Sequence, residues 1–191
     1  MNGSISRLAG LAFVGAALAG CGRDKEIAEK DVKMAEQAVA SVQEAGSSLL
    51  PDRVKAVNAV IEKAKDQLIA GDYRAAMKAA QESLVEAQAL PAAVAARKAE
   101  LTTAFKALAD AVPPMLARVK ARLDSILTSK HLPAGVDPGK VAVLKDDLPG
   151  WQEEWRTATA SFESGQLAAA VTQASAVKAR AEDAKALLGL Q

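Results

Sequence analysis

The chain has 191 residues, half of them hydrophobic but only 3% aromatic, with 24 Lys and Arg against 23 Asp and Glu. That near balance excludes nucleic-acid binding driven by bulk charge. A single cysteine and a single histidine exclude a disulfide framework, a thiolate cluster and a multi-histidine metal site.

Residues 1–20 contain one charge, Arg7, followed by the apolar run Leu8 to Gly20, "LAGLAFVGAALAG", of 13 residues. This run is too short to cross a hydrocarbon layer of ~30 Å as a helix. A basic start, a short apolar stretch and small residues at its end read as a secretory signal. Leu18-Ala19-Gly20-Cys21 resembles the lipobox of bacterial lipoproteins: an aliphatic residue, two small ones, then Cys. The resemblance implies cleavage between Gly20 and Cys21, a diacylglycerol on the Cys21 sulfur, and acylation of the new N-terminus. Two or three acyl chains suffice for stable anchoring, at ~0.8 kcal/mol per buried CH₂. In lipoproteins of enterobacterial type an Asp after the lipidated Cys favours the inner membrane. Gly22 stands there, so the resemblance implies the periplasmic face of the outer membrane, with the inner membrane as the alternative. The mature chain of 171 residues then has 23 basic and 23 acidic side chains and no free thiol.

The 44 alanines, with abundant Lys and Glu, favour helix. Ala28, Val32, Ala35, Val39 and Val42 step by 4, 3, 4, 3 and predict a first helix over about 24–45, ended by Gly46-Ser47-Ser48. Pro51 suits a first helical position and Asp52 the positive end of the helix. Val54, Val57, Ile61, Ala64 and Leu68 form the second seam, closed by Gly71. Tyr73, Ala76, Ala80 and Ala87 form a third, which Pro91 is expected to kink or break. Val94, Leu101, Phe105, Leu108 and Val112 continue to Pro113-Pro114. Leu116, Val119, Leu123 and Ile126 make a fourth helix. "HLPAGVDPG", from His131 to Gly139, is loop. Val141, Leu144, Leu148, Trp151, Trp155, Ala158 and Phe162 hold one phase through Pro149-Gly150, which predicts a kinked helix or two helices sharing a face. After Gly165, the seam Leu167, Ala170, Ala174, Val177, Ala181, Ala184 and Leu188 is the last. No stretch alternates with period 2. The expected class is all-α: about six amphipathic helices in an antiparallel bundle or set of hairpins, forming a single domain over 21–191.

An offset of 94 residues carries Gly71 onto Gly165, and Ala64, Ala76 and Ala80 onto Ala158, Ala170 and Ala174. Val57, Ile61 and Leu68 fall on Trp151, Trp155 and Phe162. Either the chain is a duplication, divided around 24–112 and 113–191, or two alanine-rich hairpins coincide in register. "AGDYRAAMKAAQESLVEAQALP", Ala70 to Pro91, resembles the second helix of a tetratricopeptide repeat in its Gly-Asp-Tyr turn, in Ala76 and in its Leu-Pro ending. It departs at Ala80, where that motif has an aromatic. The preceding helix lacks the Trp and Leu-Gly signature, and no 34-residue period follows. The resemblance implies helical hairpins that serve as a binding surface.

Catalysis is not expected. His131 lies in a loop with no nucleophile elbow before it, and Asp146-Asp147 and Glu153-Glu154 are adjacent pairs whose members face apart on a helix. No phosphate-cradling glycine loop occurs. No cofactor or metal is implied. Arg118, Lys120, Arg122, Lys130 and Lys140 form a mild basic zone interspersed with acids such as Asp124. Trp151 and Trp155 lie one turn apart on a seam, where aromatics serve first as core, and such a pair also suits an interface hot spot. With Tyr73 they are the candidate contacts for a partner or ligand. The expected function is that of a lipid-anchored, non-catalytic envelope protein. Its helical surface would bind a protein partner or organise the envelope. The alternative is a carrier holding a small ligand or lipid between helices.

Overall fold

The computed structural model describes residues 18–129 and 135–190, with side chains from Gly22 onward. The regular elements among them are six helices: α1 (Leu18–Ala40), α2 (Gln43–Leu49), α3 (Pro51–Ile69), α4 (Tyr73–Thr128), α5 (Pro138–Glu163) and α6 (Leu167–Leu187). The protein is all-α, and none of these helices is long and apolar enough to cross a membrane.

The seams are buried as their periodicity predicts, but the breaks fall elsewhere. The first helix begins by Leu18, not Asp24, and stops at Ala40. Gly46 ends nothing: it lies buried inside α2, where a β-carbon would stand 2.8 Å from Val54 Cγ2. That contact, and not a need for a helix stop, explains the glycine. Pro91, Pro113 and Pro114 do not break α4, which runs unbroken for 56 residues. The expected third and fourth helices and the segment between them are thus one element. All three prolines are solvent-exposed. Their rings therefore stand on the water side of the helix, clear of the packed seam, and each removes one backbone hydrogen bond without ending the helix. Pro149 sits in the same way within a continuous α5.

Two compact units divide α4 near Pro91 and Ala92. In the first, α1, α3 and the start of α4 share a core of Ala35, Val39, Val54, Val57, Ile61, Ala87 and Leu90, extended by Val32, Ala64, Ala79 and Ala80. Fully buried alanines on α1 and α3 allow these two helices to approach closely. Lys65 on α3 reaches Glu36 on α1 at 2.6 Å and Glu62 at 2.8 Å. Its hydrogen bond to Glu36, then that to Glu62, holds its ammonium above the ordinary lysine value.

In the second unit the rest of α4 packs with α5 and α6. Val112, Leu116, Val119, Leu123 and Ile126 meet Val141, Leu144, Leu148 and Trp151, together with Val177, Ala181, Ala184 and Leu188. Asp137 caps α5, its carboxylate accepting from the Lys140 amide at 3.0 Å, and Pro138 follows as the first helical residue.

The two hairpin turns are built alike. Gly71 and Gly165 have φ of 80° and 82°. The Gly71 amide donates to Leu68 O at 3.1 Å and Asp72 N to Gln67 O at 2.9 Å; 94 residues on, Gly165 N donates to Phe162 O at 3.0 Å and Gln166 N to Ser161 O at 2.8 Å. Both are Schellman closures, in which a left-handed glycine lets the chain reverse while the last carbonyls stay bonded.

Candidate functional site

In the second unit a groove of about 630 Å³ opens between α5 and α6. The helical period sets its walls. Lys140, Val143, Leu144, Asp147 and Trp151 share one face of α5 at the i, i+3, i+4, i+7 spacings of a helix, and Arg180, Asp183, Ala184 and Leu187 do so along α6. Leu144, Trp151 and Ala184 form a floor that belongs to the core beneath. Val143 stands 60% exposed on the wall.

Arg180 organises one end. Its guanidinium lies 5.9 Å from the centroid of the Trp151 ring, within range of a cation–π contact. Both terminal nitrogens grip the Glu154 carboxylate, Nη1 at 3.0 Å to Oε1 and Nη2 to Oε2. The hydrogen bonds to Glu154 raise the Arg180 pKa, partial burial opposes this, and the more distant Asp147 adds a smaller attraction. Asp147 makes no salt bridge among the described residues, and neither does Asp183.

The first unit has a counterpart at the same offset of 94. A smaller groove, about 210 Å³, is lined by Arg53, Val57, Val60, Ser83 and Glu86, among others. Arg53 bridges to Glu86 across it at 3.1 Å. In the second unit, Asp147 stands in the place of Arg53, Trp151 in that of Val57 and Arg180 in that of Glu86. Arg180 instead bridges to Glu154 on α5, the counterpart of Val60, at one end of the groove. The second groove is the wider and holds the larger apolar side chain.

Of the residues singled out from sequence, Trp151 is both core and groove floor, 9% exposed. Trp155 is half-buried and faces the core: its ring stacks on Phe105 with centroids 5.9 Å apart, and Phe105 stacks on Phe162 at 4.2 Å. The structure therefore separates the two tryptophans, and only Trp151 lines the groove. Tyr73 is half-buried at the first position of α4, in the first unit. The side chains of Gly20 and Cys21, and all of Lys130 and His131, lie outside the described residues. In the mild basic zone, Lys120 pairs with Asp124 at 2.6 Å and Arg122 donates to Leu188 O at 3.3 Å.

Sequence reasoning missed Arg180, Asp183, Leu187 and Val143. Val143 is an apolar residue out of phase between the seam positions Val141 and Leu144. The α6 residues flank a seam, and nothing in their own segment distinguishes them from an ordinary solvated edge.

Among the described residues no group of three or more His, Cys, Asp or Glu is placed to hold a metal ion. The groove offers an apolar floor between acidic and basic walls, an arrangement suited to non-covalent docking of an amphipathic surface. No protein-family model, curated protein or solved structure matches this chain.

Proposed function

We propose that the protein is a bacterial envelope lipoprotein, anchored through Cys21, whose helical units bind a protein partner without catalysis. The observation that carries the reading is the sequence Leu18-Ala19-Gly20-Cys21 at the end of a 13-residue apolar run. Order, spacing and position all agree with a lipid-attachment site. Gly22 after the cysteine supports the outer membrane's periplasmic face over the inner membrane.

The α5–α6 groove supports the binding half of the reading. Its exposed Val143 and the unbridged Asp147 and Asp183 leave apolar surface and negative charge available together. These features fit a partner segment with an apolar face and a basic residue. The apolar floor around Trp151 also favours a second reading, a carrier of a small apolar ligand or lipid. Mass spectrometry of an organic extract of the purified protein separates the two, since a carrier brings its ligand with it.

The anchor is tested by expressing wild type and Cys21→Ala with labelled fatty acid. Label is expected on the wild type only, with the variant shifted out of the membrane fraction or retaining its signal. Label persisting on Cys21→Ala overturns the reading.

A further inference from the structure

The α3–α4 turn, Ile69 to Tyr73, carries an exposed apolar tip. Ile69 is 85% exposed, and Ala70 beside it is exposed as well. The turn geometry does not require this. The same Schellman closure 94 residues later carries Glu163-Ser164 in place of Ile69-Ala70, so a polar pair closes the identical reversal. The turn geometry thus leaves isoleucine free to serve another contact.

The position of residue 21 supplies one. In the first unit α1 runs parallel to the start of α4. Gln81 Nε2 donates to the Asp31 carboxylate at 3.0 Å, a sequence offset of 50, and Val32 shares a core with Ala79 and Ala80. Carried back along α1, the same offset places residue 21 level with residue 71, in the turn itself. The connection is stiff, because α1 is helical from Leu18 through Ala40 and Ala28 is fully buried in the unit. Ala28 lies seven residues beyond Cys21, a helical rise of roughly 10 Å. The three residues Gly22-Arg23-Asp24 are part of that helix.

We infer that the α3–α4 turn rests in the headgroup layer of the bilayer, with Ile69 as its apolar contact beside the acyl chains on Cys21. This rests on the anchor reading above and adds the face that the protein turns to the lipid. The occupant is a lipid surface and not a protein, because acyl chains attached at the height of the turn bring the bilayer to it. Arg23 and Arg74 are exposed near the same end, but Asp24 and Asp72 accompany them. The contact is therefore apolar and does not depend on anionic lipid.

The test uses the full lipidated chain, purified and reconstituted in phosphatidylethanolamine–phosphatidylglycerol vesicles. Ile69→Cys or Val85→Cys supplies the one free thiol for an environment-sensitive fluorophore, since acylation blocks Cys21. Val85 is 66% exposed and lies on α4 about 18 Å beyond Tyr73, so it is the control away from lipid. The mass of the N-terminal peptide reports acylation independently. The expected result is an acylated N-terminus and a blue-shifted probe at position 69. That probe is quenched by spin-labelled phospholipid and several-fold less by iodide than the probe at 85. An acylated chain in which iodide quenches both positions equally overturns the membrane contact and leaves the anchor standing. An N-terminus without lipid overturns the anchor reading and the inference with it.

Discussion

Trp151→Ala measures how far the groove floor is also the core. The indole is 9% exposed and shares a cluster with Leu144, Leu148, Val177 and Ala181. Truncating a buried tryptophan to alanine costs ~3–5 kcal/mol, the transfer and cavity contributions together. Two features set the value within that range. The cavity opens into the existing groove, so water can enter it and the cavity contribution falls. Loss of the Arg180 contact adds ~0.5–1 kcal/mol, while Glu154 still holds the guanidinium. The net expectation is a loss of ~3 kcal/mol. With a urea dependence of ~2 kcal/mol per molar, the midpoint falls by ~1.5 M. Both tryptophans lie in the second unit, so the fluorescence of the remaining Trp155 follows that unit alone, and circular dichroism follows the whole. A Trp155 midpoint that moves by less than ~0.5 M would refute the claim that Trp151 is part of the core.

Gly46→Ala sets two effects against each other: a helix-propensity gain of ~1 kcal/mol and an overpacking cost of ~1–3 kcal/mol where the new methyl meets Val54, 2.8 Å away. Val54 is buried and its branched side chain turns only between a few rotamers, so a net loss and a lower melting temperature are expected. In a Val54→Ala background the same change is expected to stabilise, and destabilisation of equal size there would show that the Val54 contact is not the cause. Val143→Glu, at a position 60% exposed, is expected to change stability by no more than ~0.5 kcal/mol while reducing partner crosslinking through the α5–α6 groove; undiminished crosslinking removes the groove from the reading. The Lys65 pairs raise a folded-state lysine pKa, so their stabilisation is complete below the ordinary lysine value of 10.5 and is lost as pH rises through the raised one. The stability difference between wild type and Lys65→Met is accordingly expected to be flat through neutral pH and to shrink in strong alkali; a difference that grows with pH contradicts the assignment.

The sequence by itself determined the class, the seams and the reversals. Helical periodicity is local: Val54, Val57, Ile61 and Ala64 share a face whatever that face packs against, and all four are buried. A left-handed residue is also a local demand, and Gly71 and Gly165 meet it. The helix ends were less legible because proline acts locally but is judged by its surroundings. Pro91, Pro113 and Pro114 would interrupt a helix whose packed seam they occupied; here all three stand on the exposed side, and α4 continues. Gly46 was misread for the related reason that a glycine required by a neighbour's side chain looks, in sequence, like one required by the backbone. The groove was decided by tertiary structure alone. Asp147 and Trp151 on α5 and Arg180 on α6 are brought together by the antiparallel packing of two helices, and the turn of Arg180 toward Glu154 and not Asp147 is a choice between partners that exist only once the hairpin has closed.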